Sequence, residues 1–241
     1  MSAVEHIAVV IPARDESDLI GRCLASVLAA RSVIGAQRHA PTVTVVVVAD
    51  RCTDDTADVA RRFDGVTVVV IDAGNVGVAR ATGVLLALES SGPAPHGVWI
   101  ASTDADSVVP DAWLVEQAAF AHGGAGVVLG TVRPDFADLN AEQVAAWSGL
   151  HSSADAVGEV HGANLGVRGD VYLSVGGFPG LPEHEDVGFV ERCVALGTPI
   201  VATDRCEVTT SGRQVGRTPG GFARYLRDDL VQTDVFANPA L

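Results

Sequence analysis

With 241 residues, 48% of them hydrophobic and 19% charged, the chain carries enough apolar mass to fill one large core or two small ones. Its formal net charge of −14 excludes affinity for nucleic acid or anionic membrane that rests on clustered positive charge. All 16 basic residues are arginines, which excludes lysine Schiff-base chemistry and the lysine-bearing phosphate loop and leaves arginine, backbone amides or a metal to meet any phosphate.

The opening stretch holds acidic Glu5 and a short apolar run stopped by Pro12, which fits neither a signal peptide nor a membrane span. His6 to Ile11 is β-branched and apolar and predicts a strand; Leu19, Ile20, Cys23, Leu24, Val27 and Leu28 then recur at helical spacing. Val43 to Val48 predicts a second strand, followed by a polar loop and a helix over Asp54 to Phe63 with Thr53 as its N-cap. Val66 to Ile71 predicts a third strand, Gly74 to Gly77 a turn, and Val78 to Leu88 a helix. Gly97 to Ala101 predicts a fourth strand, which runs into Thr103-Asp104-Ala105-Asp106.

Unbroken apolar strands alternating with helices imply a mainly parallel sheet covered on both faces, with its ligand at the carboxyl ends of the strands. The polar clusters fall at those ends: Arg14-Asp15-Glu16, Asp50-Arg51, Asp72 to Arg80, and the Asp104/Asp106 pair.

Beyond Asp106 the pattern loosens. It predicts a helix near Asp111 to Ala121, a turn at Gly123-Gly124, a strand over Val127 to Thr131 and a polar stretch to about Gly158. Glu159 to Arg168 reads as extended, Gly169 to Val175 as a short helix, Gly176-Gly177 as a turn, and Glu185 to Leu196 and Gly220 to Leu230 as helices. No internal repeat or linker divides the chain, so residues 1–241 are expected to form one domain. Cys23, Cys52, Cys193 and Cys206 are scattered without a C-x-x-C pair, which suggests neither a zinc site nor a disulfide framework and makes a cytoplasmic protein with reduced thiols the expectation.

Asp104 and Asp106, two residues apart with a small alanine between them, present hard oxygen ligands suited to Mg²⁺ or Mn²⁺ rather than zinc or copper. Taken alone, an Asp-x-Asp is also what a capped turn looks like, with Asp106 or Ser107 capping the next helix.

Five segments in order weigh on that choice: VVIPARDE, VVVVADRCTDDT, NVGVARATG, ASTDADS, and GANLGVRGDVYLSVGGF followed by EDVGFV. Together they resemble the family 2 glycosyltransferases over about Ile7 to Leu196. The resemblance implies the GT-A fold, an α/β class with a Rossmann-like, mostly parallel central sheet flanked by helices and a less regular second half. It also implies a nucleotide-sugar-binding half over about 1–110 and an acceptor-binding half over about 111–241.

Carried over by position, the resemblance implies that Pro12 and Arg14 line the nucleobase pocket, that Asp50 bonds the base and that Arg80 contacts the donor. Asp104 would hold the ribose or a metal-bound water, and Asp106 the metal. Asp186 would be the general base, with Glu185 shaping its field or holding acceptor hydroxyls. The chain departs from the family at Ala49-Asp50-Arg51-Cys52, where a second acid followed by Gly-Ser is usual, and at Asp15, where Asn is common. Base identity is therefore not carried over. Where processive synthases carry Q-x-x-R-W, Gln214 to Thr218 has no tryptophan, so one sugar per acceptor is expected.

The chemistry implied is transfer from a UDP- or GDP-sugar to a small-molecule or glycan acceptor. Positive charge, from a divalent ion and from arginines such as Arg80, Arg213 or Arg217, would stabilise the departing diphosphate, and a carboxylate opposite it would take the acceptor proton. Asp186 at a helix start also suits a plain capping role. No nucleic acid partner or integral membrane segment is expected; a homodimer is compatible with the sequence. A retaining GT-A enzyme and a sugar-1-phosphate nucleotidyltransferase are the alternatives, the second disfavoured by an opening IPARDE in place of a glycine-rich basic loop. Trp99 and Trp113 are expected in the core and Asn164 near the acceptor. Trp147 is a candidate for stacking on a sugar, and His151, His161 and His184 are weaker candidates for contacts, His184 being the best placed.

Overall fold

The computed structural model describes residues 4–151, 158–218 and 220–232; the middle of the polar stretch, 152–157, lies outside them. The first half follows the predicted alternation: β1 (His6–Ala13), α1 (Ile20–Gly35), β2 (Thr42–Asp50), α2 (Thr56–Ala60), β3 (Val66–Ile71), α3 (Val76–Ser90) and β4 (Val98–Ser102). β3, β2, β1 and β4 lie side by side and all parallel, so their carboxyl ends share one edge. β1 is buried along its whole length, because Ile7, Val9 and Ile11 share a core with the apolar side chains of α1 while α3 packs on the other face. The second contact is close: a Cβ on Gly83 of α3 would stand 2.6 Å from Val10 Cγ1, so only glycine lets this helix reach the sheet.

The second half continues the same sheet with β5 (Ser107–Val108), α4 (Trp113–His122), β6 (Val127–Pro134), α5 (Ala141–Leu150), β7 (Leu165–Arg168), α6 (Gly169–Ser174), α7 (Glu185–Ala195), β8 (Ile200–Thr210) and α8 (Phe222–Arg224), which runs on into a π-helical turn. The full order is β3-β2-β1-β4-β7-β6-β8-β5. β7 is antiparallel to both of its neighbours and β5 is antiparallel to β8, so the sheet is mixed. The sheet separates two cores. One gathers Trp99, Trp113, Leu114, Leu24 and Val27 beneath α1 and α4; the other gathers Tyr172, Phe178 and Phe189 beneath α3, α6 and α7.

Several local expectations change. Thr53 does not cap a long helix: its N–H and hydroxyl both donate to Asp15 Oδ1, and the helix is only Thr56–Ala60. The polar stretch contains α5, started by a capping box between Asn140 and Gln143. The strand β8 has no counterpart in the predicted elements. Asp106 and Ser107 cap no helix, because β5 follows them and α4 starts only at Trp113.

Candidate active site

The shared edge of β1 to β4 brings the acidic motifs together. Asp104 and Asp106 leave β4 on diverging paths. Asp104 is bonded to Arg80 of α3, with Nη2 to Oδ1 at 2.5 Å; Asp106 turns the other way and meets Arg213, with Nη2 to Oδ2 at 2.9 Å. Each acid of the D-x-D motif thus already faces a guanidinium from a different element.

Around Asp106 the partners come from both chain ends. Glu16, buried just past β1, receives Arg213 through two bonds of 2.8 and 2.6 Å and also accepts from Arg217. Its N–H donates to Thr56 Oγ1 at 2.7 Å, which ties the β1–α1 loop to α2. Burial and the neighbouring Asp104 charge push the Asp106 carboxyl up to about 6, against the pull of Arg213. A cavity of about 570 Å³ opens here between the β1–α1 loop, Asp106, the turn after β6 and the end of β8.

On the opposite side, Glu185 and Asp186 open α7. His184, the residue before them, adopts a left-handed backbone with φ of 59°, an uncommon conformation for a residue with a Cβ. Glu185 is buried and accepts from Arg80 Nε at 2.7 Å; desolvation raises its pKa, opposed by Arg80 and reinforced by Asp186. Asp186 is half-buried. Its Oδ2 accepts the N–H of Gly162 at 2.6 Å, a bond to another segment of the chain and therefore more than a cap of its own helix.

The remaining expected residues are placed as follows. Pro12 is buried within β1 and Arg14 is exposed directly after it. Asp50 is buried at the end of β2, and its carboxylate accepts three backbone N–H groups, from Ala73, Gly74 and Asn75, at 2.7 to 2.8 Å. It therefore builds the loop between β3 and α3. Arg80, expected against the donor, is enclosed, only 3% exposed.

Asn164 does not face an acceptor: it accepts from Trp113 Nε1 and donates to the carbonyls of Thr131 and Cys206, entirely buried. Trp147 is also buried, stacked on His151 at 3.6 Å and flanked by Phe222 and Tyr225, which leaves no face for a sugar. His161 lies 3.4 Å from Glu159, and His184 is exposed. Trp99 and Trp113 are core residues, as expected. The grip of Glu16 on Arg213 was not legible in the sequence, since 197 positions separate them, although Glu16 does stand in the first polar cluster.

Comparison with known proteins places this arrangement. A family model described as Glycosyl transferase family 2 matches residues 8–155. Among solved structures the chain is similar to S. aureus TarS 1–349, with 14% identity, a TM-score of 0.60 and coverage of 96% of this chain and 65% of that one. It is similar to the mannosyltransferase PcManGT from Pyrobaculum calidifontis in complex with GDP-Man and Mn²⁺, with 18% identity, a TM-score of 0.59 and coverage of 99% and 76%. Glucosyl-3-phosphoglycerate synthase from Mycobacterium tuberculosis in complex with Mg²⁺ and UDP gives 17% identity, a TM-score of 0.56 and coverage of 97% and 79%. At these identities the likeness is one of fold, and this chain spans less than two thirds of TarS 1–349. No curated protein matches it in sequence.

Proposed function

We propose, since this chain belongs to glycosyl transferase family 2, that it moves a sugar from a UDP- or GDP-sugar onto a hydroxyl of a small-molecule or glycan acceptor, with inversion at the anomeric carbon. The observation that carries the reading is one bonded cluster at the sheet edge in which Arg80 joins Asp104, after β4, to Glu185, at the start of α7. Complexes of similar structures with UDP and Mg²⁺, or with GDP-Man and Mn²⁺, support the donor class.

A divalent ion fits the donor set. Asp106 offers hard oxygens, and its carboxylate already attracts a positive group in Arg213, so the position favours a cation. Asp106 would bind Mg²⁺ or Mn²⁺ directly and Asp104 through water or the ribose; the ion, when bound, supplies positive charge to the departing nucleoside diphosphate. Arg213 and Arg217 stand beside the cavity and add to that charge from the protein itself. Pro12 and the exposed Arg14 form the wall for the base, and Asp50 shapes the adjoining loop while offering its remaining lone pair.

Asp186 takes the proton of the acceptor hydroxyl, held in orientation by the Gly162 N–H, and Glu185 steadies the start of its helix. In this reading residues 1–110 hold the donor and 111–241 shape the acceptor side of a single domain. The enzyme adds one sugar per acceptor and works in the cytoplasm. Among the described residues no helix is long and apolar enough to cross a membrane.

A thermal-shift screen of sugar nucleotides and nucleoside diphosphates, with Mn²⁺ and with EDTA, tests the reading. One nucleotide should stabilise the wild-type chain in a Mn²⁺-dependent way, and Asp106→Ala should lose the Mn²⁺ component while folding normally. Stabilisation of equal size in EDTA, or none by any nucleotide, would sink it.

A further inference from the structure

Arg80 is the most heavily bonded side chain of the site. Its Nε donates to Glu185 at 2.7 Å, Nη1 to the Gly162 carbonyl at 2.8 Å and to the Ser102 hydroxyl, and Nη2 to Asp104 at 2.5 Å. These partners come from α7, the turn before β7, the end of β4 and the D-x-D loop. Gly162 is the junction: its carbonyl is held by Arg80 while its N–H holds Asp186. A fixed planar fork of N–H donors is what such multidirectional bonding requires, and lysine could not reproduce it. Gly162 also clears the space, because a Cβ there would overlap the guanidinium.

We propose that Arg80 is a positioning residue that holds Asp104 of the D-x-D loop and the Glu185–Asp186 pair in one fixed geometry, and not a group that touches the donor. Being 3% exposed and committed to four partners, it has neither the access nor the freedom to follow a ligand. Removal of one partner from a buried, charge-assisted network leaves the others misdirected, so the damage should appear in the alignment of the acids. The inference rests on the reading of Asp186 as the base and of the D-x-D loop as the donor side.

The test uses the full ¹⁵N-labelled chain and two variants. Arg80→Lys keeps the charge and removes the fork; Gly162→Ala keeps Arg80 but crowds the guanidinium, and it decides the matter if Arg80→Lys does not fold. In ligand-free protein, the Val187 and Glu185 amide resonances should move in both variants, and the Gly162 resonance in Arg80→Lys. Calorimetric Kd values for UDP and GDP with Mn²⁺ should rise no further than in Asp104→Ala, the donor contact that Arg80 only aligns, while turnover of the sugar nucleotide selected by the stability screen falls at least about tenfold.

Unmoved amides in a folded variant would overturn the proposal. So would a nucleoside diphosphate Kd that rises beyond that of Asp104→Ala, which is the mark of a direct donor ligand. If the wild type binds neither nucleotide, the proposed function fails, and the amide shifts still decide whether Arg80 aligns the acids.

Discussion

Residues under strain mark the candidate site. Three of the four described non-glycine residues with positive φ, namely Asp15, Arg51 and His184, stand at the ends of β1 and β2 and at the start of α7. A residue with a Cβ in that region costs on the order of 1 to 3 kcal/mol, and such costs collect where geometry serves chemistry. His184 sets the direction in which Glu185 and Asp186 enter α7. Asp186→Asn tests the base directly: the amide keeps the size but cannot take a proton, so kcat should fall about 10²- to 10⁴-fold while the donor Kd changes little. Near-normal kcat would remove Asp186 from the base role, and product analysis showing retained configuration would favour a retaining mechanism instead.

Another residue-scale prediction concerns His6, buried at the start of β1 with its ring nitrogens 2.7 Å from Thr42 Oγ1 and 3.0 Å from Thr44 Oγ1. Burial lowers its pKa below the ordinary 6.5, so the unfolded chain binds the proton more readily than the folded one. Its contribution is fully present above 6.5 and is lost as pH falls below that value toward the lower folded pKa. Thermal unfolding from pH 7.5 down to about 5 should show wild type losing more stability than His6→Gln. Parallel curves for the two proteins would refute the assignment.

At the scale of elements, what the sequence announced and what it hid have separate physical causes. β1 and β4 are unbroken apolar strands because both of their faces are covered, and that pattern is readable without a structure. β8 escaped because its alternation slips by one residue at an irregularity in its pairing with β6: Thr203 is buried and Asp204 exposed before it, and after it Arg205 and Glu207 are exposed while Cys206, Val208 and Thr210 turn inward. α5 escaped because its polar start conceals a capping box. In the site the acids were legible as residue types at strand ends, but their partners were not. No spacing rule links Arg80 to Glu185 or Glu16 to Arg213, since those pairs form only when the sheet closes.

Asn75 shows how much one cap carries: its Oδ1 accepts from Val78 N–H and starts α3, while its Nδ2 donates to the Gly180 carbonyl ahead of α7. Asn75→Ala should cost about 1 kcal/mol or somewhat more by urea unfolding, because a cap and a contact between elements are lost together. A cost near zero would mean that the loop held by Asp50 is enough to start the helix.

At the scale of the molecule, one sheet runs through both the proposed donor half and the proposed acceptor half. β4 of the first half pairs with β7 of the second, and β5, which follows directly on Asp106, pairs with β8. Arg213 and Arg217, from beyond β8, bind Glu16 beside β1, so the far end of the chain closes over the near end. Halves joined by a shared sheet and by ion pairs across the site should unfold together. A ligand that binds only the folded state at a hundred times its Kd adds about 2.7 kcal/mol, and for a domain of this size each kcal/mol raises Tm by about 2 to 4 °C. Calorimetry of the full chain with the selected nucleoside diphosphate and Mn²⁺ should therefore show one transition, moved as a whole by roughly 5 to 11 °C. Arg213→Ala should reduce that displacement, because a cation beside the diphosphate would be gone, while the transition stays single. Two transitions, of which the ligand moves only one, would show that the halves fold as separate units despite the common sheet.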